Sequence, residues 1–316
     1  MSKQHTVEKL AVIGCGTMGH SIALNAACAG IPVKVTGMHE EEISRAEAGI
    51  KAKLGMLAQH GMLPPAELPE ILQRISFSTQ LDEVVSGSTF VIEAAPEDLT
   101  LKQTLFSRVE ALCDAGTVLA SNTSGLSATQ IAQHLQHPGR FIITHFWNPA
   151  HLVPLVEICC ISATTAEVQE RTHALLAQMG KKTIQVKKEV PGFVGNRLQY
   201  ALLREAQYML EEGIASKEDI DAAVTFGLGR RLPVTGPLLS ADMGGLDVFA
   251  AISNYLFPSL SSATQTFPAL QHLVKAGKFG SKSGEGYYEW PEHRLAAINT
   301  EREAALIHFM KQDRDR

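Results

Sequence analysis

Residues 9–30 read KLAVIGCGTMGHSIALNAACAG: an apolar run from Lys9 to Ile13, then Gly14, Gly16 and Gly19 spaced as GxGxxG, then a helical pattern from about Met18 to Ala29. The placement of the glycines between a strand and a helix carries more weight than the string itself. In this setting the first glycine permits a tight turn and the second lets backbone approach a pyrophosphate. The third lets helix and strand pack closely, and the phosphates meet the positive helix end. The stretch therefore reads as a dinucleotide-binding βα unit. It sets the expected fold as α/β, a doubly wound Rossmann-type parallel sheet.

The alternation of short β-rich runs and longer helical patterns continues to about residue 190. Strands are expected at Lys9 to Ile13, Val33 to Thr36, Thr89 to Ile92, Val118 to Ala120, Phe141 to Thr144, Leu155 to Ile158 and Thr183 to Val186. Between the second and third, Glu41 to Leu81 reads as a helical excursion from the sheet, broken by Gly61 and by Pro64 and Pro65. After Pro191 the β-rich runs stop. Val194 to Glu212 has helical periodicity through Leu198, Leu202 and Met209 and ends at Gly213, and Ser216 with Asp219 reads as a helix N-cap. Leu246 to Leu256 is a further apolar helix, and the chain beyond Trp290 reads as a solvated, charged terminal helix. The organisation expected is a dinucleotide-binding domain over 1–190 and an all-helical domain over 191–316.

Composition bounds the partners. The 316 residues are 45% hydrophobic and 19% charged, which describes a globular chain with a substantial core. The net charge is −5, and no basic run is interleaved with aromatics, so nucleic acid is not an expected partner. Nor is a membrane: no apolar stretch approaches the roughly 20 residues a span requires, and Met1 to Glu8 is polar, which reads as a soluble, unprocessed chain. Cys15, Cys28, Cys113, Cys159 and Cys160 lack disulfide or metal-ligand spacing and are read as reduced thiols of a cytoplasmic protein; no metal site is expected.

The stretch richest in chemistry runs from Ser121 to Glu157. His145 falls at a strand end, and Glu157 follows twelve residues later on the next apolar run, where the two can face one cleft. An imidazole can take a proton from a secondary alcohol near neutral pH, while a carboxylate fixes its tautomer and stabilises the imidazolium. At the end of the second strand, where an acidic residue usually meets the ribose 2′-hydroxyl, the sequence has Gly37, followed by Met38, His39 and then Glu40, Glu41 and Glu42; Arg45 is the first nearby arginine. NAD is therefore favoured over NADP by a moderate margin only.

These residues resemble the L-3-hydroxyacyl-CoA dehydrogenases and their gulonate (lambda-crystallin-like) relatives. The likeness runs through GxGxMG, Ile92-Glu93-Ala94-Ala95-Pro96-Glu97, Ser121-Asn122-Thr123-Ser124, His145 with Asn148-Pro149, and Leu155-Val156-Glu157. It continues through Pro191-Gly192-Phe193 with Asn196-Arg197, Gly236-Pro237 and Lys278-Phe279-Gly280 leading to Gly286. The resemblance implies His145 as catalytic base, Glu157 as its orienting carboxylate, and Ser124 and Asn148 as groups near the substrate oxygen and nicotinamide. Asn196 would be contributed to the cleft, and Gly14, Gly16, Thr17, Met18, Gly19, Glu97, Lys102 and Lys282 would line the cofactor site. It also implies a homodimer, a place in fatty acid metabolism, and hydride transfer between NAD and C3 of an L-3-hydroxyacyl-CoA.

Departures from the family pattern open alternatives. The segment Gly227 to Pro237 is one residue longer than in acyl-CoA enzymes and carries Arg230 and Arg231, which suit a free carboxylate and suggest a gulonate-type 3-hydroxy acid substrate. Trp147 replaces a smaller aromatic beside His145, and Lys51 and Lys53 form no coenzyme A signature. A non-catalytic nucleotide-binding protein of the same fold is a further reading, opposed by the intact Ser124, His145, Asn148 and Glu157 set. A 6-phosphogluconate-type enzyme would require a lysine base in place of this signature.

Overall fold

The computed structural model describes residues 8–314. The chain divides into two compact units, one comprising the chain through Asn196 together with the residues from Glu301 onward, the other Arg197–Thr300.

The first unit is built on one eight-stranded sheet: β1 (Leu10–Ile13), β2 (Val33–Thr36), β3 (Ile75–Ser78), β4 (Phe90–Glu93), β5 (Val118–Ser121), β6 (Phe141–Phe146), β7 (Leu155–Cys160) and β8 (Lys182–Val186). Their spatial order is β3-β2-β1-β4-β5-β6-β7-β8. In chain order, α1 (Thr17–Cys28), α2 (Glu40–Gln59), α3 (Leu68–Gln73), α4 (Leu81–Val85), α5 (Leu99–Leu112), α6 (Ala128–Ile131) and α7 (Ala166–Gln178) connect them. Strands β1, β4, β5 and β6 are buried along their whole length, as strands covered on both faces must be. Alternation then divides the core in two. Leu10 and Val12 pack into a cluster with Ile22 and Leu24 of α1, whereas Ala11 and Ile13 pack into another with Phe106 and Val109 of α5.

Two expectations require correction. The segment from Glu41 to Leu81 is not wholly helical, because β3 lies within it and pairs in parallel with β2 at the sheet edge. The sheet is also not wholly parallel. Strand β7 runs antiparallel to β6, and β8 runs parallel to β7, so the last two strands oppose the other six.

The second unit is helical. It holds α8 (Gly195–Glu211) from Arg197 onward, then α9 (Lys217–Ala222), α10 (Pro237–Gly244), α11 (Leu246–Leu256) and α12 (Pro268–Lys275). The Ser216 hydroxyl accepts from Asp219 N and caps α9, as the sequence indicates. Large apolar side chains of this unit stand open, among them Leu238 at 84%, Met243 at 71% and Tyr255 at 70% exposure.

The terminal helix α13 (Glu292–Arg314) differs from the solvated helix expected. Ile307 is 1% exposed and packs with Leu57, Met62 and Leu152 of the first unit, flanked by Leu306 and Met310. Apolar residues at helical spacing bury one stripe of a strongly charged helix. Ile307→Ala is expected to lower the unfolding free energy by about 2 to 4 kcal/mol in a urea titration, the usual cost of an emptied aliphatic site. An unchanged midpoint and slope would mean that the helix is solvated after all.

Candidate active site

Each glycine of the loop after β1 does a different job. Gly14 has φ +98°, and a Cβ on it would lie 2.7 Å from the Ala94 carbonyl oxygen. A Cβ on Gly19 would lie 1.7 Å from the Gly14 oxygen, so α1 can reach the loop only without a side chain there. Around Gly16 nothing lies within 4 Å. Gly16 caps α1 without any side-chain acceptor, and the first turn of α1 carries no acidic residue, so its amides and its positive end are left for an anion. The loop opens on a cavity of ≈ 1280 Å³ lined by Gly16, Thr17, Met18, Gly37, Glu42 and Ala95 among others. A glycine cradle, an uncapped helix end and a cavity of this size fit a dinucleotide.

The proposed acid/base pair follows from the reversal of strand direction. Antiparallel pairing of β6 with β7 sets His145 directly opposite Glu157, with both side chains on one face. His145 Nδ1 lies 2.8 Å from Glu157 Oε2. Glu157 is fully buried and has three further donors: Trp147 Nε1 at 3.1 Å, Val194 N at 2.9 Å and Gly195 N at 3.0 Å. Burial alone would raise its pKa. The hydrogen bonds from His145, Gly195 and Val194, with the imidazolium charge when present, outweigh burial and hold it down to about 2. An ionised carboxylate can only accept, so Nδ1 must carry the proton and Nε2 presents its lone pair. Phe193, itself buried at φ 49°, sets its ring 5.7 Å from the imidazole.

A second buried network positions the Ser124 loop. Glu93 and Lys102 are fully buried, 2.5 Å apart, and Glu93 also accepts from Ser121 Oγ and Ala95 N. Glu97 accepts from Thr123 Oγ1 at 2.5 Å, Ser124 N at 2.8 Å and Gly125 N at 3.3 Å. Burial opposes its ionisation, but the Thr123 hydroxyl, the Lys102 charge and the Ser124 amide hold its pKa below the usual carboxylate range. Asn196 Nδ2 donates to the Ser124 carbonyl oxygen at 3.1 Å, and Asn122 Oδ1 receives Phe146 N at 2.9 Å, tying the ends of β5 and β6 together.

The structure thus brings His145, Glu157, Ser124 and Asn196 into the first unit's β5–β7 region, with Asn148 exposed beside them at a cis Asn148–Pro149 bond. Lys102 departs from the expected lining role: its ammonium is spent on Glu93, Glu97 and the Ala95 carbonyl, beneath the loop. Lys282 is exposed in the second unit, between the bridged Gly280 and Glu285, and its cofactor role rests on the resemblance alone.

Comparison with known proteins identifies the family. The family model of the 3-hydroxyacyl-CoA dehydrogenase NAD binding domain matches residues 9–190, and that of the C-terminal domain matches residues 192–290. The chain belongs to the 3-hydroxyacyl-CoA dehydrogenase family. It is 33% identical, over 95% of its length and 96% of the relative's, to 5-formyl-3-hydroxy-2-methylpyridine 4-carboxylate 5-dehydrogenase of Mesorhizobium japonicum. It is 36% identical to a probable 3-hydroxybutyryl-CoA dehydrogenase of Bacillus subtilis, over 90% and 98% of the two chains. A crystal structure of the pyridine carboxylate dehydrogenase, described as an NAD+-dependent dismutase, superposes with TM-score 0.90 at 32% identity, covering 97% and 98%. This family member is therefore an oxidoreductase that uses NAD.

Sequence reasoning missed the Trp147 contribution. The signal was present, since residues two apart along extended chain share a face and Trp147, just beyond the end of β6, follows His145 by two. The same indole accounts for Gly195, where a Cβ would lie 2.2 Å from Trp147 Cζ2. Lys53 points inward, its Nζ 2.8 Å from His20 Nε2, while Lys51 is exposed.

The glycine geometry separates two substitutions. Gly16→Val should leave the melting temperature nearly unchanged and weaken NADH binding at least about 100-fold in calorimetry, because its side chain enters the space a pyrophosphate needs. Gly19→Ala should instead destabilise the fold, and equal melting temperatures for the two variants would contradict the cradle.

Proposed function

We propose that the chain moves a hydride between NAD and the carbon bearing the 3-hydroxyl of a 3-hydroxyacyl compound, with a CoA thioester such as 3-hydroxybutyryl-CoA as the leading substrate. The observation that carries this reading is the His145–Glu157 pair, with Nδ1 bound and Nε2 left to accept. NAD, when bound, supplies the hydride acceptor. His145 Nε2 takes the hydroxyl proton, and Glu157 holds the imidazole and offsets the positive charge that forms. Ser124 and Asn148 position the substrate oxygen, and Asn196 fixes the Ser124 backbone.

A free hydroxy acid is the second reading. Two observations favour it: the near full-length likeness to a pyridine carboxylate dehydrogenase, and the inward turn of Lys53, which leaves that lysine unavailable to a coenzyme A phosphate. Arg230 and Arg231, in the second unit, are the candidate carboxylate partners. The same proposal includes a homodimer, supported by the open apolar side chains of α10 and α11, and a reducing cytoplasmic setting, supported by the five free cysteines.

Steady-state turnover of acetoacetyl-CoA with NADH, set beside L-gulonate and 3-hydroxybutyrate with NAD, decides between the substrate classes. His145→Gln should lower turnover on the active substrate by about 10²- to 10⁴-fold with little change in binding. Glu157→Gln removes the anion that stabilises the imidazolium, so the base stays unprotonated to lower pH. The acid limb of the oxidation profile should then move to lower pH, with a reduced maximal rate. Loss of the Trp147 donor in Trp147→Phe leaves more of the carboxylate's charge to the imidazole, so that limb should move to higher pH. Wild-type turnover and pH profile in the Glu157 variant would make it a structural carboxylate only.

A further inference from the structure

The end of β2 cannot carry the acidic residue that usually meets the adenosine ribose. A Cβ on Gly37 would lie 2.8 Å from Cys15 Sγ and 2.9 Å from Ile43 Cγ1, so any side chain there collides with the glycine loop and with α2. A carboxylate nevertheless reaches this corner. Glu42 lies in the first turn of α2, and its Oε2 accepts from Met38 N at 3.0 Å, which draws the carboxylate back to the residue following Gly37. Glu42 lines the same cavity as Gly14, Gly16 and Thr17, whereas Glu40 and Glu41 are exposed and do not. Its charge is felt at Cys15 within the loop: burial first, then Glu42, raises the pKa of that thiol.

We propose that Glu42 is the residue by which this chain distinguishes NAD from NADP, standing in for the strand-end acid that Gly37 cannot provide. One oxygen is fixed by the Met38 amide, and the other is free to receive the ribose hydroxyls. A 2′-phosphate would meet an anchored like charge. Arg45 stands one turn further along α2 and lines the cavity as well, but it is exposed. It becomes the phosphate partner once the carboxylate is neutralised, so a short stretch of α2 holds both the rule against NADP and the means of relaxing it.

Glu42 also ties Met38 to the first turn of α2, and the test must separate the two roles. Glu42→Gln keeps an oxygen for the Met38 amide and loses only the charge; Glu42→Ala loses both. NADH and NADPH are titrated calorimetrically into the wild type, both variants and Glu42→Gln/Arg45→Ala, with melting temperatures recorded for each. The wild type should prefer NADH. In Glu42→Gln the ratio of NADPH to NADH dissociation constants should fall by about 10- to 100-fold, the effect of one charge-assisted hydrogen bond. Adding Arg45→Ala should reverse the gain in NADPH affinity. A wild type that prefers NADPH overturns the proposal. So does a ratio unchanged within about twofold in the glutamine and alanine variants, or an equal loss of both dinucleotides in Glu42→Gln, which would leave Glu42 a structural tie to Met38. Failure of the cofactor site as a whole reads differently, as Gly16→Val binding both dinucleotides like the wild type.

Discussion

A fully buried carboxylate, Glu157, receives hydrogen bonds from an imidazole, an indole and two backbone amides, and the chemistry of the first unit depends on its remaining ionised. An isolated buried charge would be costly, and four donors in good geometry are what make it tolerable. The same four bonds join β6, β7 and the start of α8 around one group. Because the pKa of Glu157 is depressed to about 2, its contribution to stability is present above the ordinary carboxylate range and is lost as pH falls toward that value. Removing the carboxylate would at once free the base, the tryptophan and the turn that leads through Val194 into α8.

Much of this was legible in the sequence because burial on both faces leaves a plain mark. The apolar runs at β1 and β4 to β7 stand out for that reason, and Val33–Thr36 is found with the expected bounds. Strand β3 was not legible. Its sequence, Ile75 to Ser78, offers only two apolar residues, and it is a partly exposed edge beside a long helical pattern. The direction of β7 was hidden as well, since periodicity reports faces and not the sense of a strand. That reversal is what makes His145 and Glu157 cross-strand neighbours; the sequence spacing of twelve placed them near one another without saying how. In α13 the many charges masked the stripe of Leu306, Ile307 and Met310.

The two charged networks of the first unit answer different needs. Glu93 and Lys102 pair off in full burial, and Glu97 spends its carboxylate on Lys102 and on the loop that presents Ser124. Near the glycine loop the arrangement is the opposite. The first turn of α1 lacks acids, while the first turn of α2 holds three, so one helix end is open to the pyrophosphate and the other is negative where the ribose would lie. The fold places positive and negative ends side by side, and a dinucleotide without a 2′-phosphate suits both.

The proposed chemistry rests on His145 being held with its proton on Nδ1. Nitrogen-15 NMR of the imidazole in mildly alkaline solution reports the neutral tautomer directly. The prediction is a protonated Nδ1 and a bare Nε2 for His145. A proton found on Nε2 would contradict it, because the nitrogen assigned to the substrate hydroxyl would then have no lone pair to accept with.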